Sequence, residues 1–410
     1  MSIRSNGAQY ARAVKSAIER PLSSVARIFR SGEAEDSYAD VVCLDGGRAA
    51  FDEIINNIQT AERTIEMRTF LWRDDEIGNR VAAALLGAAD RGVEISIQKD
   101  RIAAVYEVIA GTQQSFFHKD MDPVYRFQAW FLSTVYNGRG APRQQRNPLA
   151  EAILAHPNIK VRHSTKRFDH SKLFIFDDRR MVLGSMGIAD AHHQEWVEMA
   201  VRVEGEQHVR RLHERVAGEV PFDPHRRLDF LTHCRDTHPV RTCPMLGHRL
   251  ALMASAEKSL VIAMAYLGDK RFTNTLIQAV RRGVDVTLVT AGRADVLGDL
   301  GRATCDKILR KTGAPDNLAI VLMPRMVHAK VVVRDRRWSD IGSANFTRLS
   351  HGVYNEINLH VDNEAFARSV ELAIDHACAE GELASRRVKY RKLYVQVERA
   401  ICAYQGRNGG

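Results

Sequence analysis

Two short stretches carry the residue types needed for phosphoryl chemistry without a metal: His170-Ser171-Lys172 and His328-Ala329-Lys330. Each leads through a mostly apolar run, Leu173 to Phe176 or Val331 to Arg334, into an acid, Asp177 or Asp335. Such a run reads as a buried strand, and its period of two puts histidine and lysine on one face. A neutral imidazole can attack phosphorus to give a phosphohistidine. A second imidazole can protonate the departing alkoxide, and the lysines can hold the non-bridging oxygens as point charges. One copy supplies half of that set, so two copies make one complete site.

A nucleophilic imidazole must keep its proton on the nitrogen turned away from phosphorus, and a carboxylate behind the ring enforces that tautomer. Glu198 and Glu356, each 28 residues beyond the histidine of its own copy, are the candidates. Gly184-Ser185 and Gly342-Ser343 follow the strand, where small residues permit close approach and backbone and hydroxyl donors can reach phosphoryl oxygens. Asn345 adds a donor, whereas its counterpart in the first copy is Gly187. Asp177 and Asp335 either support the phosphate site or tie down a turn, the commoner fate of an acid at a strand end. His170, Lys172, Asp177, Gly184, Ser185 and Glu198 each recur 158 residues later as His328, Lys330, Asp335, Gly342, Ser343 and Glu356, a register that chance does not hold.

The elements around these residues are also duplicated. Ala61-Glu62 and Arg91-Gly92-Val93 return as Ala256-Glu257 and Arg282-Gly283-Val284, and between them a strand-like run leads to a helix-like stretch and a second strand-like run. This βαβ punctuation predicts an α/β protein of two repeats, each a mixed sheet flanked by helices, packed about a pseudo-two-fold axis. The early offsets of 195 and 191 residues exceed 158, so the first copy carries an insertion, placed near 101–148 and rich in aromatics. It reads as a lid, a membrane-dipping element or an extra helical hairpin. Its His118-Lys119-Asp120 is a decoy, because adjacent residues do not share a face. The resulting division is a basic amphipathic segment 1–38, a first repeat 39–220, a connector 221–244, a second repeat 245–384 and a basic C-terminal helix and tail 385–410. Both basic termini alternate apolar and cationic positions, suited either to an anionic membrane surface or to packing against the domain.

A net charge of +9 favours anionic partners without choosing among lipid, nucleic acid and phosphorylated metabolites. Six dispersed cysteines read as thiols of a reducing compartment, and no apolar run reaches the roughly 18 residues of a membrane span. The start lacks the apolar core of a signal peptide, which predicts a cytoplasmic protein held peripherally at the inner membrane surface. His233, Cys234, His238 and Cys243 match no standard zinc spacing, and neither a Walker loop nor a Rossmann fingerprint occurs, so no metal and no cofactor are expected. Arg101 and His163 read as surface residues rather than the mouth of the site.

These motifs resemble the phospholipase D superfamily, whose H-x-K-x4-D followed by G-S-x-N occurs twice in its single-chain members. The likeness spans about residues 40–400 and is closest to bacterial cardiolipin synthases: Glu195-Trp196 through Gly205, Arg282-Gly283-Val284, and Gly342-Ser343-Ala344-Asn345-Phe346 through Asn355-Glu356 are similar to that family's segments. The resemblance implies a metal-independent two-step transfer in which His170 becomes phosphatidylated and His328 acts as general acid and then general base. It makes phosphatidylglycerol the usual acceptor and cardiolipin the product. The assignment of the nucleophile rests on the resemblance alone, since the two motifs are chemically equivalent. Gly187 in place of Asn, and Phe346-Thr347-Arg348-Leu349-Ser350 in place of the commoner Leu-Asp-x-Arg-Ser, are departures that bear on acceptor choice. A hydrolase or a nuclease with the same two-histidine site is the enzymatic alternative, and a membrane-binding scaffold that has lost activity is the non-enzymatic one.

Overall fold

The computed structural model describes residues 40–108, 114–117, 123–137, 146–164, 168–234 and 244–408. The N-terminal amphipathic segment, His118-Lys119-Asp120, His238 and Cys243 lie outside the described residues.

The first repeat contributes β1 (Val41–Asp45), β2 (Thr64–Thr69), β3 (Glu94–Asp100), β4 (Ile159–Ser164), β5 (Phe168–Asp169), β6 (Leu173–Phe176), β7 (Arg180–Gly184) and β8 (Met199–Glu204). The second contributes β9 (Leu228–His233), β10 (Ser259–Met264), β11 (Asp285–Ala291), β12 (Leu318–Met323), β13 (Lys330–Arg334), β14 (Trp338–Gly342), β15 (Tyr354–Asp362) and β16 (Glu382–Leu383). One sheet runs β1-β8-β7-β6-β2-β3-β4, parallel over β2 to β4 and antiparallel elsewhere. The other repeats the plan as β16-β12-β11-β10-β13-β14-β15, with β9 antiparallel and the short β5 parallel to β15. These are the two mixed sheets that the duplicated motifs predicted.

Strands such as β6 and β13 are apolar on both faces because both faces are covered. Their inner faces meet each other: Leu173, Ile175, Met199 and Val201 share one core with Val331, Val333, Ile341 and Leu359. The outer faces carry helices α1 (Gly46–Thr60) and α2 (Glu76–Asp90) on the first sheet, and α7 (Pro244–Ala254), α8 (Lys270–Arg281) and α9 (Gly298–Thr312) on the second. Asp75 and Asp269 cap α2 and α8 by accepting backbone N–H bonds, from Gly78 and from Arg271 and Phe272.

The insertion forms a short α3 (Ala103–Glu107) and a longer α4 (Pro123–Asn137), ahead of α5 (Pro148–Ala155). Helix α4 buries Ala129 and Leu132 but leaves Val124, Phe127, Trp130 and Phe131 exposed. After β8 and β15 come α6 (Glu206–Ala217) and α10 (Glu364–Ala377), whose apolar faces join the core between the sheets.

The stretch 221–244 is not only a connector. β9 within it pairs with β15 as β1 pairs with β8, so the second repeat begins with this strand. The strand Leu-Asp-Phe-Leu-Thr-His hides its apolar pattern behind two polar residues that are buried and partnered: Arg211 holds Asp229 at 2.7 Å, and Thr232 donates to the Arg215 carbonyl. The C-terminal α11 (Lys392–Asn408) packs Val395 and Cys402 inward and sets Glu398 at the start of α9, where it accepts the Leu300 N–H at 2.6 Å. Leu393 and Tyr404 on the same helix are exposed.

Candidate functional site

The inner faces of the sheets bring His170 and His328 to one cavity of about 260 Å³, lined also by Lys172, His192, Trp196, Asn345 and Tyr354. Each histidine hangs on the opposite repeat. The His170 N–H donates to the Asn355 carbonyl at 2.9 Å, and the His328 N–H donates to the Val197 carbonyl at 2.8 Å. Those carbonyls immediately precede Glu356 and Glu198.

The carboxylates are therefore exchanged between repeats. Nδ1 of His170 bonds both oxygens of Glu356, at 3.0 and 3.1 Å, and Nδ1 of His328 lies 2.8 Å from Oε1 of Glu198. Sequence spacing suggested the carboxylate of the histidine's own copy. The antiparallel path through β7 and β8 instead turns each glutamate toward the facing repeat. An ionised carboxylate only accepts hydrogen bonds, so it keeps the proton on Nδ1 and leaves Nε2 with its lone pair.

Burial dominates the electrostatics. It pushes His170 down to about 4 against the pull of Glu356, and holds His328 well below the usual imidazole value despite Glu198. Burial alone would raise Glu356, but His170 and Lys172 bring it down to about 2; Glu198 is likewise held low by His328 and His192. Desolvation lowers Lys172 to about 8 and Lys330 to about 7, and each ammonium donates to the carbonyl of its own motif histidine at 2.5 Å. Neutral imidazoles backed by ionised carboxylates and close to buried amines form a set suited to attack on, and proton transfer around, an anionic diester.

The remaining sequence candidates fall in three places. Asn345 lines the cavity and accepts the Tyr266 N–H through Oδ1 at 3.1 Å. Ser185 and Ser343 stand behind the carboxylates instead of facing the cavity: Ser185 donates to Glu198, and Ser343 bonds Glu356 and the Ile357 backbone. Gly342 lets the strands close there, since a Cβ on it would come within 2.3 Å of the Ile357 carbonyl.

Asp177 and Asp335 are remote. Five residues of strand put each about 16 Å beyond its lysine. Both lie in left-handed turn positions at φ 53°. Asp177 accepts the N–H groups of Glu62, Arg63 and Thr64, and Asp335 those of Glu257, Lys258 and Ser259. Both carboxylates are engaged as turn clamps, away from the cavity lining. Arg101 and His163 do not line the cavity.

Three further residues escaped the sequence reading. Tyr354 stacks on His170 with ring centres 5.3 Å apart, and Trp196 lies 5.3 Å from His328. Both stand two residues before a glutamate, in the same 158-residue register, which was the available signal. His192 places Nδ1 2.5 Å from Oε1 of Glu198. Among the described residues, His192, Glu198 and His328 are the one group of His, Cys, Asp or Glu close enough to share an ion. Their N···O separations of 2.5 and 2.8 Å put both imidazoles against one carboxylate oxygen.

A family model described as cardiolipin synthase, PLD-like domain, matches residues 54–218 and 250–377. Cardiolipin synthase B of Salmonella typhi is 25% identical over 352 residues, covering 80% of this chain and 77% of that protein. Cardiolipin synthase B of Escherichia coli K12 is 23% identical over 354 residues with the same coverage. The crystal structure of phosphatidylserine synthase from Haemophilus influenzae Rd KW20 superposes with a TM-score of 0.66 at 12% identity, covering 96% of this chain and 98% of that one, a shared fold.

Proposed function

Because the chain belongs to the phospholipase D-like family of cardiolipin synthases and is a phosphatidyltransferase of that family, we propose that it moves a phosphatidyl group between phospholipids through a phosphohistidine, making cardiolipin from phosphatidylglycerol. The observation that carries this reading is the pair of imidazoles at one cavity, each held from behind by a carboxylate of the opposite repeat.

Once the anionic diester is bound, His328 takes up a proton on Nε2. Nε2 of His170 then attacks phosphorus as His328 gives that proton to the leaving glycerol oxygen, breaking the P–O bond as the P–N bond forms. His328, now neutral, takes the proton from the hydroxyl of a second phosphatidylglycerol. That oxygen displaces His170 to complete the transfer. Lys172 and Lys330 offset the charge on the non-bridging oxygens, and Asn345 adds an amide at the cavity wall. Leu71, Tyr106, Val296 and Leu297 make part of the lining apolar, which favours a lipid over a polynucleotide.

The partner in this reading is an anionic phospholipid surface. Phe127 and Trp130, 63% and 52% exposed on α4, supply interfacial aromatics. Helix α4 reaches the cavity rim, where the Tyr136 hydroxyl accepts the Leu297 N–H at 3.4 Å. Among the described residues no helix is long and apolar enough to cross a membrane.

Purified protein mixed with phosphatidylglycerol vesicles, with and without EDTA, and read by mass spectrometry tests the proposal. Cardiolipin formed in both samples is the expected result. Phosphatidic acid alone would mean hydrolysis, and unchanged lipid beside cleaved polynucleotide would move the assignment to a nuclease.

A further inference from the structure

The two repeats hold their histidines differently, and the difference begins at Gly187. In the 158-residue register Gly187 matches Asn345 and His192 matches Ser350. In the second repeat the Asn345 side chain accepts the Tyr266 N–H, and its own backbone N–H donates to Ser350 Oγ at 3.2 Å. In the first repeat there is no side chain at 187, and the imidazole of His192 enters the vacated space. A Cβ on Gly187 would stand 3.3 Å from Nε2 of His192 and 3.1 Å from Cβ of Leu71.

That imidazole is buried, 4.8 Å from the His328 ring, and its Nδ1 takes Oε1 of Glu198 at 2.5 Å. The same oxygen lies 2.8 Å from Nδ1 of His328, which makes no well-directed hydrogen bond there. Glu356, by contrast, turns both oxygens to His170.

We propose that His192 is a positioning residue that occupies the place of the second repeat's asparagine and divides Glu198 between two imidazoles, leaving His328 the more loosely held of the two reacting histidines. A firmly held Nδ1–H suits a nucleophile whose lone pair must stay aimed at phosphorus. A loosely held ring suits a group that gains and loses a proton in each cycle. The inference rests on the proposed transfer reaction for the role of His328, and on geometry alone for the division of Glu198.

The test compares the unmodified chain with His192→Ser, Gly187→Asn and the double variant on phosphatidylglycerol vesicles. In parallel, an NMR titration of ring-labelled histidine follows His328, assigned through His328→Gln. Lys330, Lys172, Arg73, Glu356, Asp295 and the Tyr266 hydroxyl face this cluster and are the same in every variant, so a shift reports the sharing of Glu198.

With Oε1 of Glu198 no longer shared with His192, His328 in His192→Ser should titrate about one pH unit or more higher. Its kcat should fall about 10- to 100-fold with KM little changed. Gly187→Asn alone should also lose activity, because the amide meets the His192 ring. The double variant relieves that clash but leaves Glu198 undivided, so it should keep the raised His328 midpoint and the kcat loss of His192→Ser. Should His192→Ser not fold, His192→Phe keeps a ring without nitrogens and is read by the same titration. An unmoved His328 midpoint, or a double variant with kcat restored, overturns the proposal. If the unmodified chain consumes no vesicle lipid, the transfer reading fails while the titration still decides how Glu198 is shared.

Discussion

At the scale of the residue, the carboxylates decide which ring nitrogen can react. Glu356 is buried and ionised, and its bond to His170 crosses between repeats. Replacing it by Gln preserves shape but allows the amide to donate to Nδ1, which places the imidazole proton on Nε2, the attacking atom. Glu356→Gln should therefore lower kcat by about 10²- to 10⁴-fold, the span of a lost acid–base contribution, with little effect on KM. Steady-state kinetics on phosphatidylglycerol vesicles measures it. His170→Ala or His328→Ala should abolish turnover while circular dichroism stays native, and near-normal turnover in either would remove the two-histidine mechanism. A loss in Glu356→Gln confined to KM would mean that Glu356 binds substrate and does not set the tautomer.

At the scale of the element, two acids with the look of site residues serve as turn clamps. Each of Asp177 and Asp335 takes three backbone N–H groups at the entry to a neighbouring strand, β2 or β10. Asp335→Ala should cost about 1–2 kcal/mol, the loss of a good backbone cap, and lower the urea midpoint with kcat/KM unchanged at 25 °C. A large rise in KM at unaltered stability would return Asp335 to the phosphate site. Helix α4 carries a separate expectation. Phe127→Ser with Trp130→Ser removes two exposed aromatics and should weaken sedimentation with anionic vesicles about tenfold or more, since burying each ring stabilises by about 1.5–3 kcal/mol.

The same elements show what the sequence made legible. The catalytic candidates, the doubled βαβ plan and the insertion could be read because identical residues recur in register and apolar runs keep a strand period. Strand β9 could not, because Asp229 and Thr232 break its apolar pattern and their partners come from α6. The exchange of Glu198 and Glu356 was equally hidden. Spacing along a chain orders residues within a repeat and says nothing of which repeat a side chain faces once two sheets stack.

At the scale of the whole molecule, a shared core and an exchanged pair of carboxylates make each repeat incomplete without the other. The same stacking buries histidines that have no part in the chemistry, and these set a pH limit on the fold. His360 lies between Trp338 and Phe222, both ring nitrogens are without a hydrogen-bond partner among the described residues, and burial lowers it to about 4. His351, buried beside Arg249, is lowered to about 3. Each must stay neutral in the folded state, while in the unfolded chain it binds a proton near 6.5. Below that value the unfolded state carries more protons, so stability falls as pH falls, by up to about 1.4 kcal/mol per unit for each such histidine. The loss continues down to the folded values near 4 and 3, and nothing is lost above about 7. The urea midpoint should therefore decline steadily from about pH 7 toward pH 5, while a change between pH 8 and 7 belongs to Lys330 and Lys172, which the fold holds near 7 and 8. His360→Phe, which keeps a ring between Trp338 and Phe222 but cannot take a proton, should make that decline shallower. An equally steep decline in His360→Phe would show that His360 is not among the groups that take up protons on unfolding.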